Sequence, residues 1–123
     1  MSDRPKVPWR SIFYIWVLFS SLKLLLFHAY KSTDFEVHRN WMAITYELPL
    51  TKWYFEKTSS WTLDYPPFFA YFEWVLAKPA AYFDREMVRV QNLFYNELTV
   101  LLYQRVTVVL SDLMFLYGCI RYF

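Results

Sequence analysis

Two acidic, aromatic-rich stretches carry the residue types that could do chemistry in this chain. They are Ser32-Thr33-Asp34-Phe35-Glu36-Val37-His38-Arg39-Asn40-Trp41 and Trp61-Thr62-Leu63-Asp64-Tyr65-Pro66-Pro67-Phe68-Phe69. A carboxylate held beside tryptophan and tyrosine suits proton abstraction from a hydroxyl group such as that of a sugar. His38 and Arg39 are candidates for holding a phosphate or a sugar. Each residue also has a plainer reading. An acid in the first turn of a helix is stabilised by the macrodipole, which would account for Asp34. Asp64, just ahead of Pro66-Pro67, is placed to cap a helix that starts with proline. Thr33 and Glu36 fit a capping box, in which a hydroxyl and a carboxylate each satisfy a free backbone N–H. His28 and His38 are too few and too far apart for a recognisable metal site, so no metal is expected.

Composition narrows the class. Hydrophobic residues make up 57% of the 123 positions and aromatic residues 24%, and there is a single glycine. One glycine cannot build a Gly-rich phosphate loop or a dinucleotide fingerprint. Cys119 is the sole cysteine, which excludes an internal disulfide or a cysteine metal cluster. A net charge of +2, dispersed along the chain, argues against nucleic-acid binding.

Two long apolar runs must position the chemistry. The first, residues 12–29, is interrupted by Ser20, Ser21, Lys23 and His28. Eighteen helical residues rise about 27 Å, close to the thickness of a hydrocarbon core. Trp9, Trp16 and Tyr30 fall where interfacial aromatics belong. A cleaved signal peptide is the rival reading, but Phe27-His28-Ala29 lacks the small residues that cleavage requires. The second run, 98–120, carries Gln104, Arg105, Ser111 and Asp112. Charges at mid-membrane cost about 2.5–3.5 kcal/mol each on insertion scales. Lys23, Arg105 and Asp112 are therefore expected either to snorkel or to meet partner helices beyond this chain.

The flanks set the orientation. Arg4, Lys6 and Arg10 outweigh Asp3 at the N-terminus, whereas residues 30–97 hold seven Lys/Arg and nine Asp/Glu. The positive-inside rule then gives a cytosolic segment 1–11, a span 12–29, a lumenal loop 30–97, a second span 98–120 and a cytosolic end 121–123. Within the loop, Val37, Trp41, Ile44 and Leu48 recur at helical spacing up to Pro49, predicting a short amphipathic helix lying on the bilayer surface. Phe68 to Leu76 predicts a second helix, closed by Lys78-Pro79. Asp84 opens a third, over 85–94.

The order apolar helix, Asp-Phe-Glu-x-x-Arg-x-Trp, Lys-Trp-Tyr, Trp-x-Leu-Asp-Tyr-Pro-Pro resembles one family. It is that of the endoplasmic-reticulum glucosyltransferases that take glucose from a dolichyl-phosphate carrier to build the precursor of N-linked glycans. The matching residues are Asp34, Phe35, Glu36, Arg39, Trp41, Lys52-Trp53-Tyr54 and Trp61, followed by Leu63-Asp64-Tyr65-Pro66-Pro67. His38-Arg39-Asn40-Trp41 and Phe68-Phe69 look closer to the branch that adds the second glucose, with the first-glucose branch as the near alternative. The resemblance implies an all-α, multi-span membrane fold of GT-C type, of which this chain is an N-terminal part. It also implies an endoplasmic-reticulum location and α-1,3 glucosyl transfer with inversion. No metal or cofactor is implied. The donor would be dolichyl phosphate glucose and the acceptor a dolichyl-pyrophosphate oligosaccharide, with membrane lipid and C-terminal helices beyond residue 123 as partners.

In that family an aspartate near the end of the first membrane helix is the general base, and its position in the motif is Asp34. Arg39, His38, Trp41, Asp64 and Tyr65 are the candidate substrate-binding residues. The short chain is expected to be inactive alone. The alternative is a non-catalytic small membrane subunit or regulatory short isoform.

Overall fold

The computed structural model describes residues 7–122, and among them every regular element is helical. Helix α1 is Trp9–Leu25, α2 is Asp34–Glu47, α3 is Pro67–Phe83 and α4 is Leu98–Tyr122. Two short 3-10 turns, Leu50–Phe55 and Arg85–Val88, lie between them. Arg4, Lys6 and Asp3, on which the orientation argument partly rests, lie outside the described residues.

The chain forms two compact units, one comprising the chain up to Ala29 together with the chain from Arg105 onward, the other Tyr30–Gln104. In the first unit, α1 starts on Pro8, whose extended backbone leads in while its carbonyl accepts from Ser11 N–H at 2.9 Å. The helix therefore begins three residues before the apolar run expected at 12–29, and it ends four residues before that run does. At Leu26 the backbone tightens into 3-10-type bonds, Phe27 N–H to Leu24 and Ala29 N–H to Leu26. Helix α4 has 25 residues and is the one described helix long and apolar enough to cross a membrane by length and composition. The Lys23 ammonium bonds the Asp112 carboxylate directly. The two charges thus have each other as partners, where snorkelling or helices beyond the chain were the expected alternatives.

In the second unit α2 is the centre. Every residue from Arg39 to Thr45 is buried, so the middle of the helix is enclosed on all faces while its ends reach the surface. Its Val37, Trp41, Ile44 and Leu48 do share one side, as the spacing predicted. They pack with Trp53, Leu63, Ala70 and Val90. Met42 leads the opposite cluster, with Ala77, Ala80, Met87, Val88 and Val100. Helix α3 presents Ala70, Ala77 and Ala80, each fully buried, and these small side chains let its backbone lie close against neighbours.

Four local expectations are revised. Thr33 stands at the N-cap of α2 but makes no side-chain cap, and Glu36 turns away from the helix end. The Arg39 guanidinium takes both Glu36 oxygens, a charge-assisted fork stronger than a bond to one backbone N–H. Helix α3 begins at Pro67 with Pro66 as its cap, again with no side-chain cap, so Asp64 does not hold it. It also runs through Pro79 to Phe83 rather than closing at Lys78. Pro79 is exposed, where a lost backbone bond is most easily tolerated. Asp84 does cap the next turn, accepting from Glu86 N–H at 3.0 Å, but that turn spans only Arg85–Val88.

Candidate functional site

The start of α2 brings Asp34 to the surface. Its carboxylate is exposed, one helical turn before His38 on the same face, and Ser32 Oγ donates to it at 3.4 Å. Backbone bonds from Glu36 and Val37 N–H to the Thr33 carbonyl fix this turn. An open cleft of about 370 Å³ borders it, lined by residues 30–33, Phe35, Glu36, Ser60, Trp61 and residues 94–96. Phe94, on the cleft, has a positive φ of 58°, an uncommon backbone state for a bulky residue.

His38, Trp41 and Tyr65 come together. The His38 and Trp41 rings lie 5.4 Å apart edge to face, and Tyr65 tilts against Trp41 at 5.0 Å. Phe69 joins all three, 5.8 Å from His38, 5.9 Å from Trp41 and 4.9 Å from Tyr65. Trp41 is 4% exposed and donates through Nε1 to the Thr62 carbonyl at 3.1 Å, so it ties α2 to the Trp61–Tyr65 segment. Asn40 reinforces the tie, donating to the Trp61 carbonyl at 3.0 Å. Tyr65 is half exposed, and its ring offers an apolar face with a polar rim. Asp64 is exposed on the neighbouring extended segment.

Arg39 faces the other way. It is fully buried, forks onto Glu36 at 2.7 and 2.8 Å, and donates to the Met87 and Arg89 carbonyls at 3.0 and 3.3 Å. All of those bonds run to the chain itself. The geometry therefore gives Arg39 the work of fastening the 85–89 turn to α2.

Glu73 was not among the sequence candidates. It is 1% exposed, and one of its oxygens lies 2.7 Å from His38 Nδ1. The other is buried with no hydrogen-bond partner. The hydrogen bond to Glu73 raises the His38 pKa above its ordinary 6.5, burial opposes the rise, and the charges of Glu73 and Asp34 add to it. The imidazole thus keeps its proton at a pH where a free histidine has lost it. Its contribution to stability is complete below about pH 6.5 and fades as pH climbs through the raised value. The signal available in the sequence was a lone acid inside the otherwise apolar Phe68–Leu76 run.

Together these elements define, among the described residues, an all-helical fold with a membrane-length helix and an exposed acid one turn from a histidine packed on aromatic rings. The chain belongs to the ALG6, ALG8 glycosyltransferase family, whose model matches residues 19–123. It is 56% identical over 102 residues to a dolichyl pyrophosphate Glc1Man9GlcNAc2 alpha-1,3-glucosyltransferase of Neurospora crassa, covering 83% of this chain and 20% of that protein. The protein of the same name from Bos taurus is 58% identical over 97 residues, 79% of this chain and 18% of the relative. That from Arabidopsis thaliana is 52% identical over 122 residues, 98% and 24%. The chain therefore spans about a fifth to a quarter of the length of the curated relatives it matches.

Proposed function

We propose that this chain is the acceptor-side part of an enzyme that transfers glucose from dolichyl phosphate glucose to a dolichyl-pyrophosphate-linked oligosaccharide. The product would carry a second glucose in α-1,3 linkage. The observation that carries this reading is identity above 50% with relatives so named, across the stretch that holds Asp34, His38, Trp41 and Tyr65. The exposed position of Asp34 one helical turn from His38 supports it, because a base must reach the hydroxyl it deprotonates.

The division of labour follows from the chemistry. A lipid phosphate is already a good leaving group, so the donor bond can break without a general acid. One carboxylate then suffices: Asp34 takes the proton as the acceptor hydroxyl oxygen forms its bond to the glucose carbon. Tyr65 and the aromatic wall behind it give a sugar ring an apolar surface. Arg39 keeps the helix carrying Asp34 fastened and does not touch sugar. Asp64 remains a candidate for contact with substrate, since it is exposed and caps nothing.

In this reading α1 and α4 are both spans in the endoplasmic-reticulum membrane, residues 30–97 lie in the lumen, and further helices complete the donor site. The excess of acid over base in 30–97 supports that orientation. Complementation tests the function. A full-length protein containing this segment should restore the second glucose in cells that accumulate the one-glucose lipid-linked oligosaccharide, and residues 1–123 alone should not. Rescue of cells that accumulate the glucose-free form, and not of the former, would assign the first-glucose reaction instead.

A further inference from the structure

Asp34 leaves one demand unmet, a group that holds the acceptor sugar still while its hydroxyl is deprotonated. His38 and Glu73 meet it. Glu73 lies on α3 and His38 on α2, 35 residues apart in sequence, with the carboxylate 2.7 Å from Nδ1. A carboxylate can only accept, so the proton in this bond sits on Nδ1. That fixes both the ring's orientation and the nitrogen left over. The two ends of the pair differ sharply in exposure: the Glu73 side chain is 2% exposed and the His38 side chain 43%. Nδ1 is thus committed to the buried partner, and Nε2 is the nitrogen free to meet a ligand. A buried acid orienting an imidazole by one nitrogen so that the other can act is a general device of active sites.

We propose that Glu73 is a positioning residue that holds His38 so that Nε2 donates a hydrogen bond to a hydroxyl of the acceptor's terminal hexose, one helical turn from Asp34. This rests on the reading of Asp34 as base, and deepens it. The groups facing His38 are Glu73 and Phe69 from α3 and Asp34 and Trp41 from α2, with Tyr65 beyond them. Two of these are carboxylates. They disfavour the singly charged phosphodiester of the donor at this point but not a neutral hydroxyl, so the ligand is the acceptor sugar and not the donor phosphate. They also favour the protonated imidazole, in which Nε2 is a donor, and leave proton removal to Asp34. The rings of Trp41 and Phe69, edge-on to the imidazole, restrict its rotation. The second Glu73 oxygen, buried without a partner, marks a carboxylate retained at a cost where packing alone would favour an apolar side chain.

The test uses the purified full-length enzyme with donor and acceptor varied separately. Glu73→Gln keeps the shape but removes the charge that holds the imidazolium. It should raise the acceptor KM about tenfold, leave the donor KM unchanged, and move the alkaline limb of kcat/KM for acceptor to lower pH. His38→Gln should raise the acceptor KM similarly and abolish that limb. If Glu73→Gln fails to fold, the half-exposed His38 variant decides alone. Unchanged acceptor KM and pH profile in His38→Gln would show that the pair is only structural. A raised donor KM would place His38 at the phosphate instead. Either result overturns the proposal. Failure of the Asp34 reading is separable, because it appears in kcat of Asp34→Asn and not in these ratios.

Discussion

Arg39 shows how a charged side chain in a short motif can serve the fold. It makes four bonds, two to the Glu36 carboxylate and two to carbonyls of the 85–89 segment, and no part of it reaches solvent. Lysine at this position would keep the charge but lose the fork and the second pair of donors. Each hydrogen bond lost to a charged group forfeits about 1.5–3 kcal/mol, and the carbonyls left unpaired inside add to the loss. Arg39→Lys in the full-length protein should therefore lower its abundance and thermal midpoint, while the KM values of the folded remainder stay near normal. A normal midpoint with a sharply raised KM would instead place Arg39 on substrate. On residue type alone, Arg39 and His38 were equivalent candidates for a phosphate or sugar. What separates them is burial, fully inward for one and half-exposed for the other, which depends on elements distant in sequence. The same holds for Glu73, whose partner His38 lies 35 residues away. That Asp34 opens a helix was legible because this feature is local, a helix start a few residues after an apolar run, whereas its role as base came from the resemblance.

At the scale of elements, the apolar periodicities were legible and the ends were less so. Val37, Trp41, Ile44 and Leu48 mark one side of α2 because i, i+4, i+7 spacing is a property of the helix itself. That the middle of α2 is buried all round could not be read from it, because Arg39, Asn40 and Thr45 look like a solvated face. They find bonds inside: Thr45 Oγ1 donates back to Trp41 at 2.9 Å, the Asn40 amide N–H reaches Trp61, and Arg39 holds Glu36. Capping patterns misled for a related reason. Thr33, Glu36 and Asp64 stand where caps belong, but a side chain caps only when nothing better is offered, and Glu36 has Arg39. Asp84 was legible and does cap, reinforced by Tyr95 and Thr99 hydroxyls at 3.0 and 2.6 Å. Pro79 was read as a stop, yet α3 continues for four residues past it, to Phe83. Its exposed side absorbs the missing bond while Ala77 and Ala80 stay packed.

For the molecule as a whole, the two apolar helices and the polar-aromatic unit between them carry the topology argument. Lys23 and Asp112 neutralise each other, so neither charge opposes placing α1 and α4 in a bilayer. An Asn-x-Thr sequon engineered near the exposed Lys57 of the full-length protein should be glycosylated in cells, as a lumenal loop requires. Modification of an N-terminal sequon instead would invert the topology and remove the base from the lumenal side. The central claim is narrower, that Asp34 removes the acceptor's proton, and it is tested by glucose transfer to a synthetic acceptor lipid with purified full-length variants. Asp34→Asn preserves shape and should lower kcat by about 100- to 10,000-fold, the range for losing a general base. Asp64→Asn, in an exposed segment that caps no helix, should retain measurable transfer at normal abundance. Near-normal transfer by Asp34→Asn, with Asp64→Asn inactive at normal abundance, would contradict the account and make Asp64 the base.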